Sequence, residues 1–153
     1  MARMTAKSFK PRLRLTNSRG FTIIELMVVT GVFGILTAIA VPQFRAFQTG
    51  FRLDGATRQV FSELMSARAK AVNENTTHTV TFPNNYTVQI VGSATRTVNL
   101  QTLFDPDVTV SSSAATINLS SRGTSDVSST ITITNSAGSK TVSLKITGSA
   151  TIS

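Results

Sequence analysis

Between Arg19 and Arg45 the chain carries a single charge, Glu25, within a run that is otherwise almost wholly apolar. A helix needs about 17–25 mostly apolar residues to cross the hydrocarbon core of a bilayer, and Phe21 to Val41 fits that window. A lone carboxylate inside such a segment is costly, so it calls for a partner and a purpose. This run constrains the chain more than any other feature. It predicts a membrane-compatible helix close to the start, and whatever else folds must be built from the remainder.

The charge distribution supports that division. The net charge of +8 resembles that of a nucleic-acid or membrane-surface protein until it is apportioned. Six of the 15 Lys and Arg residues precede the apolar run: Arg3, Lys7, Lys10, Arg12, Arg14 and Arg19. From Phe21 on, nine bases face seven acids, a balance of only +2. Basic residues just before an apolar span also fit the positive-inside rule, with the first segment cytoplasmic and the C-terminus outside. The overall basicity is therefore no evidence of affinity for nucleic acid. There is no cysteine, so no disulfide frames the exported part. An ordinary secretory signal would need a shorter apolar core followed by a small-residue cleavage site; here the run is too long and Gly20 precedes it.

The stretch Arg19-Gly20-Phe21-Thr22-Ile23-Ile24-Glu25-Leu26-Met27 resembles the class III signal of type IV prepilins and type II secretion pseudopilins. The resemblance implies a basic leader, residues 1–20, removed by prepilin peptidase between Gly20 and Phe21. It also implies N-methylation of the new terminal Phe21. Glu25, the fifth mature residue, would act in subunit assembly by pairing with the N-terminal amine of a neighbouring subunit. Such a pair is physically sound, since a buried carboxylate and ammonium offset each other's desolvation while either alone is stranded. The competing reading is a Glu held at the positive end of the helix and reaching water from its first turn.

From Phe21 the pattern predicts one helix reaching to about Asn73. Residues 21–42 form its transmembrane or filament-core half, and residues 43–75 an amphipathic half. Pro42 removes a backbone donor and clashes with the preceding turn, so it marks a kink or local melting. Gly31, Gly34 and Ala38 place small residues where helices can approach closely in lipid. Beyond Pro42, Leu53, Ala56, Val60, Leu64, Ala67 and Ala71 recur at steps of three and four, with Phe61, Met65 and Val72 beside them. Arg52, Arg58, Glu63, Arg68 and Glu74 fall on the other faces. This is a helix with one side packed on a sheet.

Residues 76–153 change character. Short runs alternate apolar residues with Thr, Ser or Lys: 79–82, 86–91, 97–100, 108–110, 116–119, 130–134 and 140–146. Each predicts a half-buried antiparallel strand. Turn formers separate them at Pro83-Asn84-Asn85, Gly92-Ser93, Asp105-Pro106-Asp107 and Asn135-Ser136-Ala137-Gly138. The fold class is therefore α+β, a long N-terminal helix packed on an antiparallel β-sheet domain in the manner of pilins.

The second half is similar to the GspH/FimT-type minor pilins and pseudopilins. The resemblance runs through Glu63 to Ala71, Ser121-Arg122-Gly123-Thr124, Ile131 to Asn135, and a final hairpin containing Thr147-Gly148. DNA-binding members carry Gly-Arg-x-Arg near the C-terminus; here the matching place reads Gly148-Ser149-Ala150-Thr151, without arginine. After Asn75 the bases Arg96, Arg122, Lys140 and Lys145 face Asp105, Asp107 and Asp126, a nearly neutral domain, and phosphate binding needs several converging cations.

No catalytic constellation emerges. His78 is the only histidine and lies on a Thr-rich strand edge, where a surface or packing role is expected. Asp105, Asp107 and Asp126 lack the spacing of a calcium loop and read as turn formers. No metal or cofactor is called for. The expectation is a structural subunit, not an enzyme: a minor pilin or pseudopilin of a type IV pilus or type II secretion pseudopilus. Its partners would be other pilin or pseudopilin subunits, prepilin peptidase and the inner membrane. It would be a single-pass precursor with a periplasmic or extracellular C-terminus, later drawn into a filament. The alternatives are a major pilin and a DNA-uptake receptor.

Overall fold

The computed structural model describes residues 20–153. The leader read over residues 1–20 lies, apart from Gly20, outside the described residues. The chain divides into two units, Met1–Ile39 and Ala40–Ser153, with a helix, α1 (Ile23–Asn73), contributing to both.

In the first unit α1 starts after Thr22, whose hydroxyl accepts a hydrogen bond from the Glu25 backbone N–H at 3.2 Å. That is an N-cap, and it satisfies one of the donors a helix start leaves free. The described side chains of this unit are exposed, among them Ile23, Phe33 and Ile35. The threonine hydroxyls among its described residues bond locally. The Thr30 hydroxyl donates to the Leu26 and Met27 carbonyls, each at 3.0 Å, and Thr37 donates to Phe33 at 2.7 Å. Hydroxyls turned back onto the helix suit a lipid environment, where unpaired polar groups are expensive. By length and composition the segment is able to cross a membrane.

In the second unit the helix continues without interruption through Pro42 to Asn73, so it is not melted at the proline. All six stripe residues, Leu53, Ala56, Val60, Leu64, Ala67 and Ala71, are buried. Each large member contributes about 1.5–3 kcal/mol by leaving water. The three alanines leave room for strands to come close.

Eight strands follow: β1 (His78–Asn84), β2 (Thr87–Val91), β3 (Thr95–Asn99), β4 (Thr109–Ser112), β5 (Thr116–Leu119), β6 (Ser129–Asn135), β7 (Gly138–Leu144) and β8 (Ala150–Ile152). All seven predicted strands are present. A short helix, α2 (Leu100–Leu103), sits between β3 and β4, where the sequence had Leu100 ending a strand. It starts because the Asn99 side chain accepts from the Thr102 N–H at 3.1 Å. β8 closes the last hairpin and was not expected as a strand.

The single sheet expected is in fact two four-stranded sheets, ordered β3-β2-β1-β5 and β4-β6-β7-β8, with every pair antiparallel. The chain crosses to the second sheet at β4, returns for β5, and crosses again at β6. Period-two alternation determines which face of a strand is apolar but says nothing about its neighbour, so the split was not legible. Inner residues of both sheets, including Val80, Ile117, Ile131, Ile133 and Val142, join the helix stripe in one apolar core. Pro83, which has no N–H, falls where the β1–β2 register slips between Thr81 and Asn84.

Candidate functional site

The amino end of α1 carries the residues that the sequence singled out. A Cβ built on Gly20 meets no atom within 4 Å, and the same holds for Gly31 and Gly34. Among the described residues, nothing packs closely enough to exclude a side chain at these positions. Phe21 is 82% exposed. Glu25 occupies the first turn, where its negative charge complements the positive helix end. Its carboxylate has no hydrogen-bond or ion-pair partner among the described residues. The Thr22-x-x-Glu25 spacing is that of a capping box, a signal present in the sequence that the reading above missed.

The other carboxylates of the described chain are engaged. Glu63, expected on a solvent face, is 4% exposed. It accepts from Arg96 Nη2 at 2.8 Å and Nε at 3.0 Å, and from Gln59 Nε2 at 2.8 Å. The Arg96 guanidinium comes from β3, so no spacing along the helix could reveal it, and its charge and fork of donors are what permit the burial. Asp54 pairs with Lys140, and Asp105 with Arg52. The Asp107 N–H, followed by Arg52, holds the Asp105 carboxyl below its usual 3.8. Asp107 accepts from the Ser136 N–H, and Asp126 from the Asn118 N–H and side chain. The three aspartates weighed for calcium thus serve as turn and loop acceptors. No group of metal-ligating side chains occurs among the described residues.

His78 corrects another expectation. It begins β1, an interior strand and not an edge, and is 2% exposed. Its Nε2 lies 2.9 Å from Glu74 Oε2, and the Ser93 hydroxyl bonds to the same oxygen. Ser93 first, then His78, hold the Glu74 carboxyl below its ordinary 4.5. The imidazole rests against Gly92, where an added Cβ would come within 2.2 Å of the ring. This arrangement ties the β2–β3 hairpin to the end of α1. It is packing reinforced by hydrogen bonds.

A helix that is apolar and bare at its start, then buried against antiparallel sheets, with a carboxylate in its first turn, defines a pilin-like subunit. The comparisons agree. Residues 56–151 match the family described as "Type II transport protein GspH", and residues 15–41 match the "Prokaryotic N-terminal methylation motif". The chain belongs to the GspH family, within the type IV pilin and pseudopilin superfamily. It is similar to the type IV major pilin protein PilA of Myxococcus xanthus (strain DK1622), 51% identical over 45 residues, 29% of this chain and 18% of the relative. It is also similar to a fimbrial protein of Pseudomonas aeruginosa, 41% identical over 56 residues, 37% of this chain and 36% of the relative. These alignments span under two fifths of each relative's length. The fold is shared with the type IV minor pilin FimU of P. aeruginosa (strain PAO1). In one crystal form the TM-score is 0.59 at 17% identity, over 70% of this chain and 92% of the other. In a second the TM-score is 0.54 at 15% identity.

Proposed function

We propose that this protein is a minor structural subunit, without catalytic activity, of a type IV pilus or a type II secretion pseudopilus. Prepilin peptidase would cut the inner-membrane precursor between Gly20 and Phe21, and Phe21 would then be N-methylated. The segment Phe21–Val41 would hold the precursor in the membrane, C-terminus outward, until it enters a helical polymer through heterologous contacts that do not close. Pro42 would let the two halves of the helix adjust at the edge of the filament core. The minor-subunit reading is supported by the GspH match over residues 56–151 and by the fold shared with the minor pilin FimU.

One observation carries the assembly mechanism: the Glu25 carboxylate stands on an exposed apolar helix with no partner of its own among the described residues. In a filament it would be buried, and the terminal ammonium of a neighbour would compensate it. The test is Glu25→Val, followed by mass spectrometry of sheared filaments with matched membrane fractions. Insertion and cleavage should persist, because the run only becomes more apolar. Breaking a buried pair from one side costs about 3–5 kcal/mol, so incorporation should fall by roughly two to four decades. Glu25→Asp should be intermediate, and Glu25→Gln separates charge from hydrogen bonding. A processed Glu25→Val subunit present in filaments at the wild-type ratio would refute the pairing mechanism.

A further inference from the structure

On the second unit, α1, the Ser120–Thr124 turn and the turn between β7 and β8 converge on one guanidinium. Arg68 Nε donates to the Gly123 carbonyl at 2.7 Å. Gly123 and Gly148 are both buried, with φ of 77° and 78°, the left-handed region that favours glycine. A Cβ on Gly148 would stand 1.9 Å from the Gly123 carbonyl oxygen and 2.8 Å from Arg68 Nε. The two turns are thus closed tightly around the arginine, and its orientation is set by backbone. Its outer nitrogens, Nη1 and Nη2, make no hydrogen bond among the described residues. Beside it Arg122 is exposed, and the two arginines line a cleft of about 290 Å³ together with Met65, Ala69 and Val72. Neither arginine pairs with a carboxylate among the described residues, as Arg52, Arg96 and Lys140 do; Arg45, Arg58, Lys70 and Lys145 are likewise without such a pair there.

We infer that this cleft is a docking site for an acidic segment of another protein, one that presents a carboxylate next to an apolar side chain. A guanidinium held by its Nε keeps its outer edge free for the paired hydrogen bonds that a carboxylate accepts. The apolar side of the cleft, from Met65 and Val72, suits the neighbouring side chain. A single-stranded nucleic acid would call for aromatic stacking platforms and a longer cationic track, and no aromatic residue lines this cleft. The inference is independent of the Glu25 mechanism, which concerns the other unit.

The test uses the full chain in uncharged detergent micelles, labelled with nitrogen-15 and observed through its arginine Nε–H signals. The probe is the capped tetrapeptide acetyl-Leu-Asp-Leu-Glu-amide. Its Asn/Gln counterpart and a twelve-nucleotide single strand serve as comparisons. The acidic peptide should move the Arg68 and Arg122 signals saturably, with affinity that weakens as salt rises, while the Asn/Gln peptide leaves them in place. Arg122→Gln should weaken binding by roughly tenfold, the scale of one charge-assisted hydrogen bond, with an unchanged circular dichroism spectrum. That variant comes first because Arg68 also holds the two turns together. No saturable shift, an equal response to the uncharged peptide, or unaltered affinity in Arg122→Gln would overturn the inference. So would tighter binding of the oligonucleotide at the same two residues, which would make the cleft a phosphodiester site.

Discussion

Glu25 and Glu63 stand on the same helix and meet opposite fates. Glu25 is exposed among exposed apolar residues and has no partner among the described residues; Glu63 is almost fully buried and held by Arg96. The surroundings repeat the contrast. Around Glu25 the apolar side chains are exposed and none is covered by the described residues; around Glu63 the stripe from Leu53 to Ala71 is closed by two sheets. Among the described residues, one half of the helix is completed by the chain and the other half is bare. Lipid satisfies the apolar side chains, but it offers nothing to a carboxylate. In the proposed function, the terminal ammonium of a neighbouring subunit takes that role.

The comparison breaks most severely if the covered half is uncovered. A fragment beginning at Gln48 keeps the stripe and both sheets and should be soluble, monomeric and mixed helix–strand by circular dichroism. A fragment beginning at Asn75 exposes the apolar face that Leu53, Val60 and Leu64 cover and should aggregate in size-exclusion chromatography. Equal behaviour of the two would mean that the helix contributes nothing to the core. Within the longer fragment, Leu64→Ala empties a fully buried site and should cost about 2–5 kcal/mol in urea unfolding. An equivalent truncation in the bare half, Leu36→Ala, should leave that unfolding curve unchanged in the full chain.

Smaller effects refine the contrast between the two glutamates. Arg96→Ala strands a buried carboxylate and should destabilise the fragment, though less than Leu64→Ala, because the arginine is itself 58% exposed and partly screened. Glu63→Leu removes the charge along with the need for a partner and should be close to neutral or stabilising. The reverse order in thermal unfolding would show that the pair is not what determines Glu63 burial. The smallest effect is that of pH. The Glu74 carboxyl titrates lower in the folded protein than its ordinary 4.5, first because of Ser93 and then His78. Its contribution is therefore present above pH 4.5 and fades as pH falls below that value through the folded one. In Glu74→Gln the acid side of the stability profile should be shallower, while stability near pH 7 drops slightly. An unchanged acid limb would show that the Ser93–Glu74–His78 link carries no stability.

What was legible follows from how far each signal reaches along the chain. The helix end at Asn73, the six stripe residues and the seven strands are set by periodicities of 3.6 and 2 that any short window displays. The apolar run and its single carboxylate are equally local. The Thr22 cap and the Asn99 cap were local too, and the signals were there to be read. Glu63 was misplaced because its partner, Arg96, lies on another element, and a charge on a helix otherwise defaults to solvent. His78 was misplaced because whether a strand is an edge or an interior one depends on which strands flank it.

By itself, then, the sequence determined the elements: a membrane-compatible helix start, an amphipathic continuation, alternating strands and the turns between them. Those are properties of neighbours along the chain, where sterics and apolar spacing decide. The tertiary structure alone decided the rest: two sheets in place of one, the burial of Glu63 and His78, and the closure of two glycine turns around Arg68. Each of these depends on which distant backbone comes alongside, through hydrogen bonds whose donors and acceptors are the same at almost every residue. A pattern written in side chains cannot specify that choice until the core is assembled.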